Sequence, residues 1–433
     1  MMGCEASQAK RPALEEQAKE ILTVTEPELV SEAPAMSPAA PVAALEPEPT
    51  LRSYFEGVLD IKVEIDPDTW DELRWQVRTW DSIFLPSGEH RLDGPAESPY
   101  TWFKADVTVD GHVYPDTGIR KKGRAGSQDD DKPSLKLRFD KFVDDQSLPG
   151  GLERLTLNNS KQDRSMVGTC LAYFIYEHAG LVAPRCHYAK VSVNGDYLGL
   201  YVNVEQVEHY TIPRTFEDDD GNLYEGEISD FTPKYRNTFE KETNSSEDDW
   251  SDIDAAVAAL ENGDDRELAE VFDLGQFLDF WAVEVLIGSK DGYSGNRNNF
   301  FVYREQGGRF VFIPWGQDDV FATTDRHDDD FESPQSVMAA GALANFLYHR
   351  DGWRELYVAT LEDFRDELWD EKKLADKAVE LMAFVQEHAT AYERVIAEHD
   401  LPRVMLWIAN RTDQINRELV DGPPEWPGGS KHT

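Results

Sequence analysis

The chain has 433 residues, with 43 Lys and Arg against 84 Asp and Glu, a formal net charge of −41, and 40% hydrophobic residues. That is apolar material for a sizeable core, and a length suited to two or three domains or one large two-lobed domain. The acidity excludes broad electrostatic binding to nucleic acid, which needs clustered Lys and Arg, and docking on anionic lipid through a polybasic patch. Phosphate binding stays open, because metal ions or a few placed cations neutralise phosphates locally.

The first 50 residues contain no aromatic residue and read as a disordered Ala/Glu/Pro-rich tether. The start, Gly3-Cys4 followed by a polar stretch, resembles the end of a bacterial lipoprotein signal, with Cys4 as the lipidated residue. N-myristoylation and an ordinary tail are the competing readings of the same residues. No stretch of about 18 apolar residues predicts a spanning helix, so any membrane contact is expected only through Cys4. Cys170 and Cys186 are read as two buried thiols in preference to a disulfide of an exported protein.

In chain order, Val58 to Ile65 predicts a strand, and Asp68 a cap for a helix carrying Trp70, Leu73, Val77 and Trp80. Phe103 to Val109 alternates, and Asp110-Gly111 predicts a hairpin turn. Next comes a cationic, glycine-rich stretch from Gly118 to Ser127, then a strand from Ser134 to Phe139. There Leu135, Leu137 and Phe139 take one face, and Lys132, Ser134, Lys136 and Arg138 the other. So many cations and glycines in an acidic chain suit a polyphosphate; a solvated hairpin is the plainer alternative.

A helix over 165–179, capped by Asp163 or Ser165, and a hairpin from Ala189 to Val204 turning at Asn194-Gly195 follow. The acidic run 217–222 resembles a calcium loop, but Phe216 stands where the first oxygen ligand belongs, which excludes an EF-hand. Residues 230–250 read as a polar, mobile insertion; helices are expected at 251–262 and 266–290, and a hairpin over 300–314. From 340 on the pattern is mostly helical, and 421–433 is a tail.

The chemistry concentrates in a helix, an Asp loop rich in Asn, a hairpin and a second Asp motif. Asp291 and Asn296 stand five apart, and Asp318 follows the hairpin. Protein kinases use that order, with hard oxygen ligands holding Mg²⁺ on the phosphates and an Asp beside the attacking hydroxyl.

Over roughly residues 55–400 the chain resembles the spore coat protein H kinase-like family, CotH. The likeness rests on Ile119-Arg120-Lys121-Lys122-Gly123 with Ser127 and Lys132 to Phe139; on Val193 to Tyr201 with Glu205; on Gly221-Asn222-Leu223-Tyr224; and on Asp291 with Asn298-Asn299-Phe300 and Ile313-Pro314-Trp315 with Asp318. It implies an α+β, atypical protein-kinase-like fold of two lobes. The β-rich small lobe would span about 51–210 and the mainly helical large lobe about 211–420.

The resemblance further implies ATP and Mg²⁺ or Mn²⁺ as cofactors, and phosphorylation of Ser or Thr on an exported, surface or coat protein. Lys136 or Lys132 would contact phosphates, covered by Arg120 and Lys122 beside Gly123 and Ser127. Glu205 would lie where the chain leaves the small lobe. Asp291 would be the catalytic Asp, and Asn299, or Asn296 by kinase spacing, would hold metal with Asp318. Glu177 would pair with Lys136 or stay solvated. Many members read P-W-D-x-D where this chain has Gly316 for the first acid, so Asp318 or Asp319 would take over, or the protein is a pseudokinase serving adhesion or coat assembly. A calcium-stabilised surface protein, from the acidic runs at 218–220 and 328–330, is a third reading.

Overall fold

The computed structural model describes residues 50–82, 84–95, 97–124, 126–217, 219–321 and 334–426. The expectations for Cys4 and the tether up to residue 49, for Asp218, for Asp328 to Asp330 and for the tail from 427 lie outside the described residues. No helix among the described residues is long and apolar enough to cross a membrane.

Alternation at period two builds the N-terminal part. Strand β1 (Leu59–Glu64) buries Leu59, Ile61 and Val63 and exposes Lys62 and Glu64. β2 (Phe103–Val109) and β3 (His112–Lys122) join at Asp110-Gly111, where φ is +49° and +89°. This left-handed pair suits the twist of a tight hairpin. Next come β4 (Ser134–Arg138), β5 (Arg154–Asn158), β6 (Cys186–Val193) and β7 (Asp196–Val204). The strand order is β1-β2-β3-β4-β5-β7-β6, and β1 pairs parallel with β6 to close a barrel. Ile61, Val107, Ile119, Leu135, Leu137, Leu157 and Val191 pack in one apolar cluster with it. Burying a side chain of this size is worth about 1.5–3 kcal/mol.

Two expectations in this part are corrected. Helix α1 (Pro67–Arg74) is capped by Asp66, which accepts from the Thr69 N–H at 3.0 Å, and not by Asp68. Pro67, preset for the first helical turn, moves the start forward. The helix ends before Trp80, which sits in a separate short 3-10 turn. Helix α2 (Gly168–His178) packs against the barrel, and its Cys170 is disulfide-bonded to Cys186 of β6. The two thiols were expected free; the fold brings their Cα atoms to 5.1 Å, a separation that spacing in the chain does not reveal.

The C-terminal part combines helices with a second sheet. After the short α3 (Ile212–Thr215) come β8 (Asn222–Gly226), β9 (Glu240–Lys241), β10 (Phe300–Arg304) and β11 (Val311–Pro314), ordered β11-β10-β8-β9. The helices are α4 (Ser251–Asn262), α5 (Asp265–Val271), α6 (Leu274–Ile287), α7 (Ala342–Tyr348), α8 (Asp351–Asp363), α9 (Glu371–His388) and α10 (Ala391–Leu419). From Phe280 to Ile287 every residue of α6 is buried, as in a helix enclosed by its neighbours.

The single helix expected over 266–290 is two. Asp273 breaks it and caps α6 through the Gln276 N–H, while Phe272 bridges to Phe310. The mobile insertion expected at 230–250 is ordered. Phe231 and Phe239 are fully buried against each other, and Glu240 and Lys241 add β9 to the sheet. Polar composition hid two aromatic anchors.

Candidate active site cleft

The face of β3 and β4 turned away from the barrel core carries the cations. Register pairs Arg120 with Lys136 and Lys122 with Ser134, so period two brings Arg120, Lys122 and Lys136 onto one face. Lys121, one residue out of phase, turns the other way. It is fully buried, and its ammonium donates to Asp130 at 2.8 Å. Arg120 stacks its guanidinium over Trp102. Gly123 has φ +117°, and a Cβ there would meet the Ser127 hydroxyl at 2.7 Å, so only glycine fits the turn.

The acids come from the two late turns. α6 stops at Gly288, left-handed at φ +67°, where a Cβ would strike Trp407 at 2.5 Å. Inside the helix, the buried Glu284 carboxylate accepts from the Tyr293 and Ser294 N–H groups, both at 2.8 Å, and so folds the following loop back. Burial pushes its carboxyl up to about 7. That loop presents Asp291, which accepts from the side-chain amides of Asn296, Asn298 and Asn299 at 2.9, 3.0 and 2.8 Å. Burial raises the Asp291 carboxyl, opposed by the hydrogen bonds from Asn296 and Asn298. Asp318 and Asp319 follow β11 in a turn closed by the Asp318 N–H donating to the Gly316 carbonyl at 2.9 Å.

The two sets meet. Arg120, Lys122, Gly123, Ser127 and Lys136 line a single cleft of about 850 Å³ together with Asp291, Asn296, Asn299, Asp318 and Asp319. Burial pushes the Asp318 carboxyl up to about 7, against the pull of Lys122 and with added repulsion from Asp291, Asp163 and Asp319. Burial brings the Lys122 ammonium down to about 8, helped by its neighbour Lys136 and opposed by Asp318.

Two predicted residues are elsewhere. Lys132 does not line the cleft. Its ammonium donates to the Leu200 carbonyl at 2.7 Å and the Asn159 carbonyl at 3.1 Å, and pairs with Glu393 of α10. Glu205 is 1% exposed and bound to Arg214, the Thr211 hydroxyl and the Arg185 N–H, away from the cleft. It is a structural knot at the strand end. Glu177 points to solvent, and no hydrogen bond or ion pair joins it to Lys136 among the described residues.

The residue at 316 also acquires a geometric reason. Gly316 has φ +53°, and a Cβ would lie 2.5 Å from the Asn299 side chain. Asn299 uses that space to bridge Asp291 and the Gly316 carbonyl, donating to the latter at 3.1 Å.

Sequence reasoning missed three features. Glu225, Glu240 and Glu242 gather in the same cleft with carboxylate oxygens within 4.8 Å of one another. Burial raises all three, Glu242 to about 7, with added repulsion from neighbouring carboxylates (Glu227 for Glu225 and Glu240, Glu240 for Glu242) and against the pull of Lys136. Glu240 and Glu242 fell in the segment set aside as an insertion. Asn298 is 7% exposed, and its Oδ1 has no partner among the described residues although the residue lines the cleft. Tyr173 of α2 lines it too, and no local pattern marks that residue. Crowded carboxylates and an unsatisfied amide oxygen are the donor set a hard divalent cation takes, so the residues fit a metal ion beside Asp291 and Asp318.

A mixed α+β protein with cations and carboxylates facing across one cleft is what this chain is by structure. By sequence it belongs to the CotH kinase protein family, whose model matches residues 119–417. The inner spore coat protein H of Bacillus subtilis (strain 168) is 25% identical over 185 residues, 39% of this chain and 50% of that protein. The chain thus spans about half the length of this curated relative. Among solved structures, the Shewanella oneidensis MR-1 toxin–antitoxin complex of HipA, HipB and operator DNA aligns over 69% of this chain and 67% of that one, at 14% identity and a TM-score of 0.35. The Helicobacter pylori proinflammatory kinase CtkA aligns over 69% of this chain and 95% of its own, at 10% identity and a TM-score of 0.32.

Proposed function

We propose that this protein is an ATP- and metal-dependent kinase with a two-lobed fold, moving the γ-phosphoryl group of ATP to a Ser or Thr hydroxyl of a protein substrate. The observation that carries the reading is the meeting of Arg120, Lys122 and Lys136 with Asp291 and Asp318 in one cleft. In the step, a bond forms between the acceptor oxygen and Pγ as the bond from Pγ to the β–γ bridging oxygen breaks. The hydroxyl proton passes to Asp291, whose raised carboxyl suits a base. Arg120, Lys122 and Lys136 bind the phosphates, and Gly123 and Ser127 shape the loop beside them. Asp318, Asn299 and Asn298 would hold Mg²⁺ or Mn²⁺, with Asp319 and Asn296 at the rim. When bound, the ion neutralises charge on the phosphates.

The Cys170–Cys186 disulfide fits an oxidising compartment. The similarity to a spore coat protein fits a substrate at a cell surface or in a coat. Within this reading the protein works outside the cytoplasm, held by a lipid on Cys4. A second reading, a pseudokinase used in adhesion or coat assembly, is favoured by Gly316 standing where many members have an acid. Calorimetry with Mg²⁺ and ATP, followed by label transfer from γ-labelled ATP, separates the two. Binding without transfer, or no binding at millimolar ATP, would leave only the second.

A further inference from the structure

Two residues after Asp291 the loop turns into the core. Tyr293 is fully buried and does not line the cleft. Its backbone is held by Glu284, and its hydroxyl donates to the Asp230 carboxylate at 3.1 Å. Asp230 is also buried, in the link of residues 227–239 between β8 and β9. A buried carboxylate needs donors, and here they come from two other elements. Besides Tyr293, the Ala342 N–H at the start of α7 donates to both Asp230 oxygens at 3.0 Å. The Leu343 N–H donates in turn to the Tyr293 hydroxyl oxygen at 3.0 Å. The packing is close: a Cβ on Gly341 would lie 2.7 Å from the Tyr293 ring, and the Ala340 N–H donates to the Ser294 carbonyl at 2.8 Å.

The same link grips the far end of the loop. The Ser229 N–H donates to the Arg297 carbonyl at 2.8 Å, and the Arg297 guanidinium lies over the Tyr235 ring, 4.7 Å from its centroid. Arg297 and Asn299 have φ of +60° and +50°, a backbone that such residues keep only where their surroundings hold it. Residues of the link thus hold the loop from the core side, while Asp291, Asn296, Asn298 and Asn299 line the cleft.

We propose that Asp230 is a positioning residue for Asp291, acting through the Tyr293 hydroxyl. It sets where the Asp291 carboxylate stands and touches neither substrate nor metal. The Arg297 end of the loop keeps its own bond to Ser229, and the phosphate-binding cations come from β3 and β4, so cutting the Asp230–Tyr293 link acts on the chemical step and spares nucleotide binding. This rests on the kinase reading for its catalytic consequence, but not for its structural test.

The test compares the full chain as wild type, Tyr293→Phe, Asp230→Asn, Asp230→Ala and the double variant Tyr293→Phe/Asp230→Ala. Tyr293→Phe keeps the ring in its packing. It should lower kcat for transfer from γ-labelled ATP by about 10- to 100-fold, the cost of a misplacement of about 1 Å, and leave the KM for ATP nearly unchanged. Asp230→Asn retains an acceptor oxygen and should keep most of kcat, whereas Asp230→Ala should fall as Tyr293→Phe does. The double variant should fall no further than the lower single one, because both cut one link. Hydrogen exchange at the Leu343 amide should quicken about tenfold in Tyr293→Phe, as for one lost hydrogen bond, while barrel amides in β4 stay protected. A wild-type kcat in Tyr293→Phe and Asp230→Ala overturns the proposal, as do effects that multiply in the double variant. Should the wild type transfer no phosphate, the kinase reading falls, and exchange over residues 291–299 and 343 still decides whether Asp230 holds the loop: unchanged rates in Asp230→Ala would show that it does not.

Discussion

Lys132 and Lys136 stand four residues apart in one motif, and only one of them belongs to the cleft. Lys136 projects from β4 beside Arg120, toward Glu225, Glu240 and Glu242. Lys132 lies just before the strand and turns onto two carbonyls and Glu393, joining the barrel to the longest helix of the C-terminal part. Gly199 completes this second place. Its φ is +126°, and a Cβ would sit 2.3 Å from the Glu393 carboxylate. A shared motif can therefore combine a chemical role with an architectural one, and the partner across space decides which residue has which.

The comparison breaks most readily through the cleft. Asp291→Asn should cut phosphoryl transfer by about 10²- to 10⁴-fold, the range for loss of a general base, with little change in melting temperature. Transfer that persists unchanged would remove Asp291 from the mechanism.

Lys132 and Lys136 should then part company. Lys132→Met leaves the half-buried Glu393 without its cation and should cost about 1.5–3 kcal/mol of stability, the range for a charged hydrogen bond, measured by denaturant unfolding. Lys136→Met should weaken Mg²⁺–ATP binding by about tenfold or more, as loss of a charged phosphate contact does. Equal effects of the two on nucleotide affinity would erase the distinction.

A smaller effect tests the loop behind Asp291. Burial raises the Glu284 carboxyl from 4.5 to about 7, so the folded chain keeps a proton that the unfolded chain has lost. Its contribution is full below about pH 4.5 and falls as pH rises toward 7. Asp230, raised from 3.8 to about 6 by burial, acts in the same direction. The melting temperature should fall by several degrees between pH 5 and pH 8. Glu284→Gln, which does not titrate, should flatten that slope while lowering the curve. An unchanged slope would take Glu284 out of the account.

The smallest effect concerns residue 316. Gly316→Asp brings back the common family acid but adds a Cβ at φ +53°, against Asn299. It should cost about 1–2 kcal/mol and displace Asn299 without raising transfer. A gain in activity would mark Gly316 as a lesion, not an adaptation.

Much of this was legible in the order of the motifs. Period two alone puts Arg120, Lys122 and Lys136 on one face, and the spacing around the 300–314 hairpin brings Asp291 and Asp318 to neighbouring turns. Residues whose role depends on a distant partner were not legible. Lys132 and Glu393 are 261 positions apart, and Glu205 reads as a nucleotide-site acid at the exit of the small lobe until Arg214 closes on it. The bonded cysteines and Tyr173 became visible only when α2 was docked on the barrel. Composition misled at 231–242, where Phe231 and Phe239 are too sparse to suggest burial yet anchor the strand that carries Glu240.

The closure of the barrel by β1 has a practical consequence. The segment matching the family model begins at Ile119, so β1, β2 and the first part of β3 precede it. A polypeptide trimmed to that segment would leave β6 with unpaired N–H and C=O groups where Leu59 to Val63 had bonded to Ala189 to Val193. Raw sheet margins of that kind invite self-association. Any shortened version meant to stay monomeric should therefore begin ahead of Leu59.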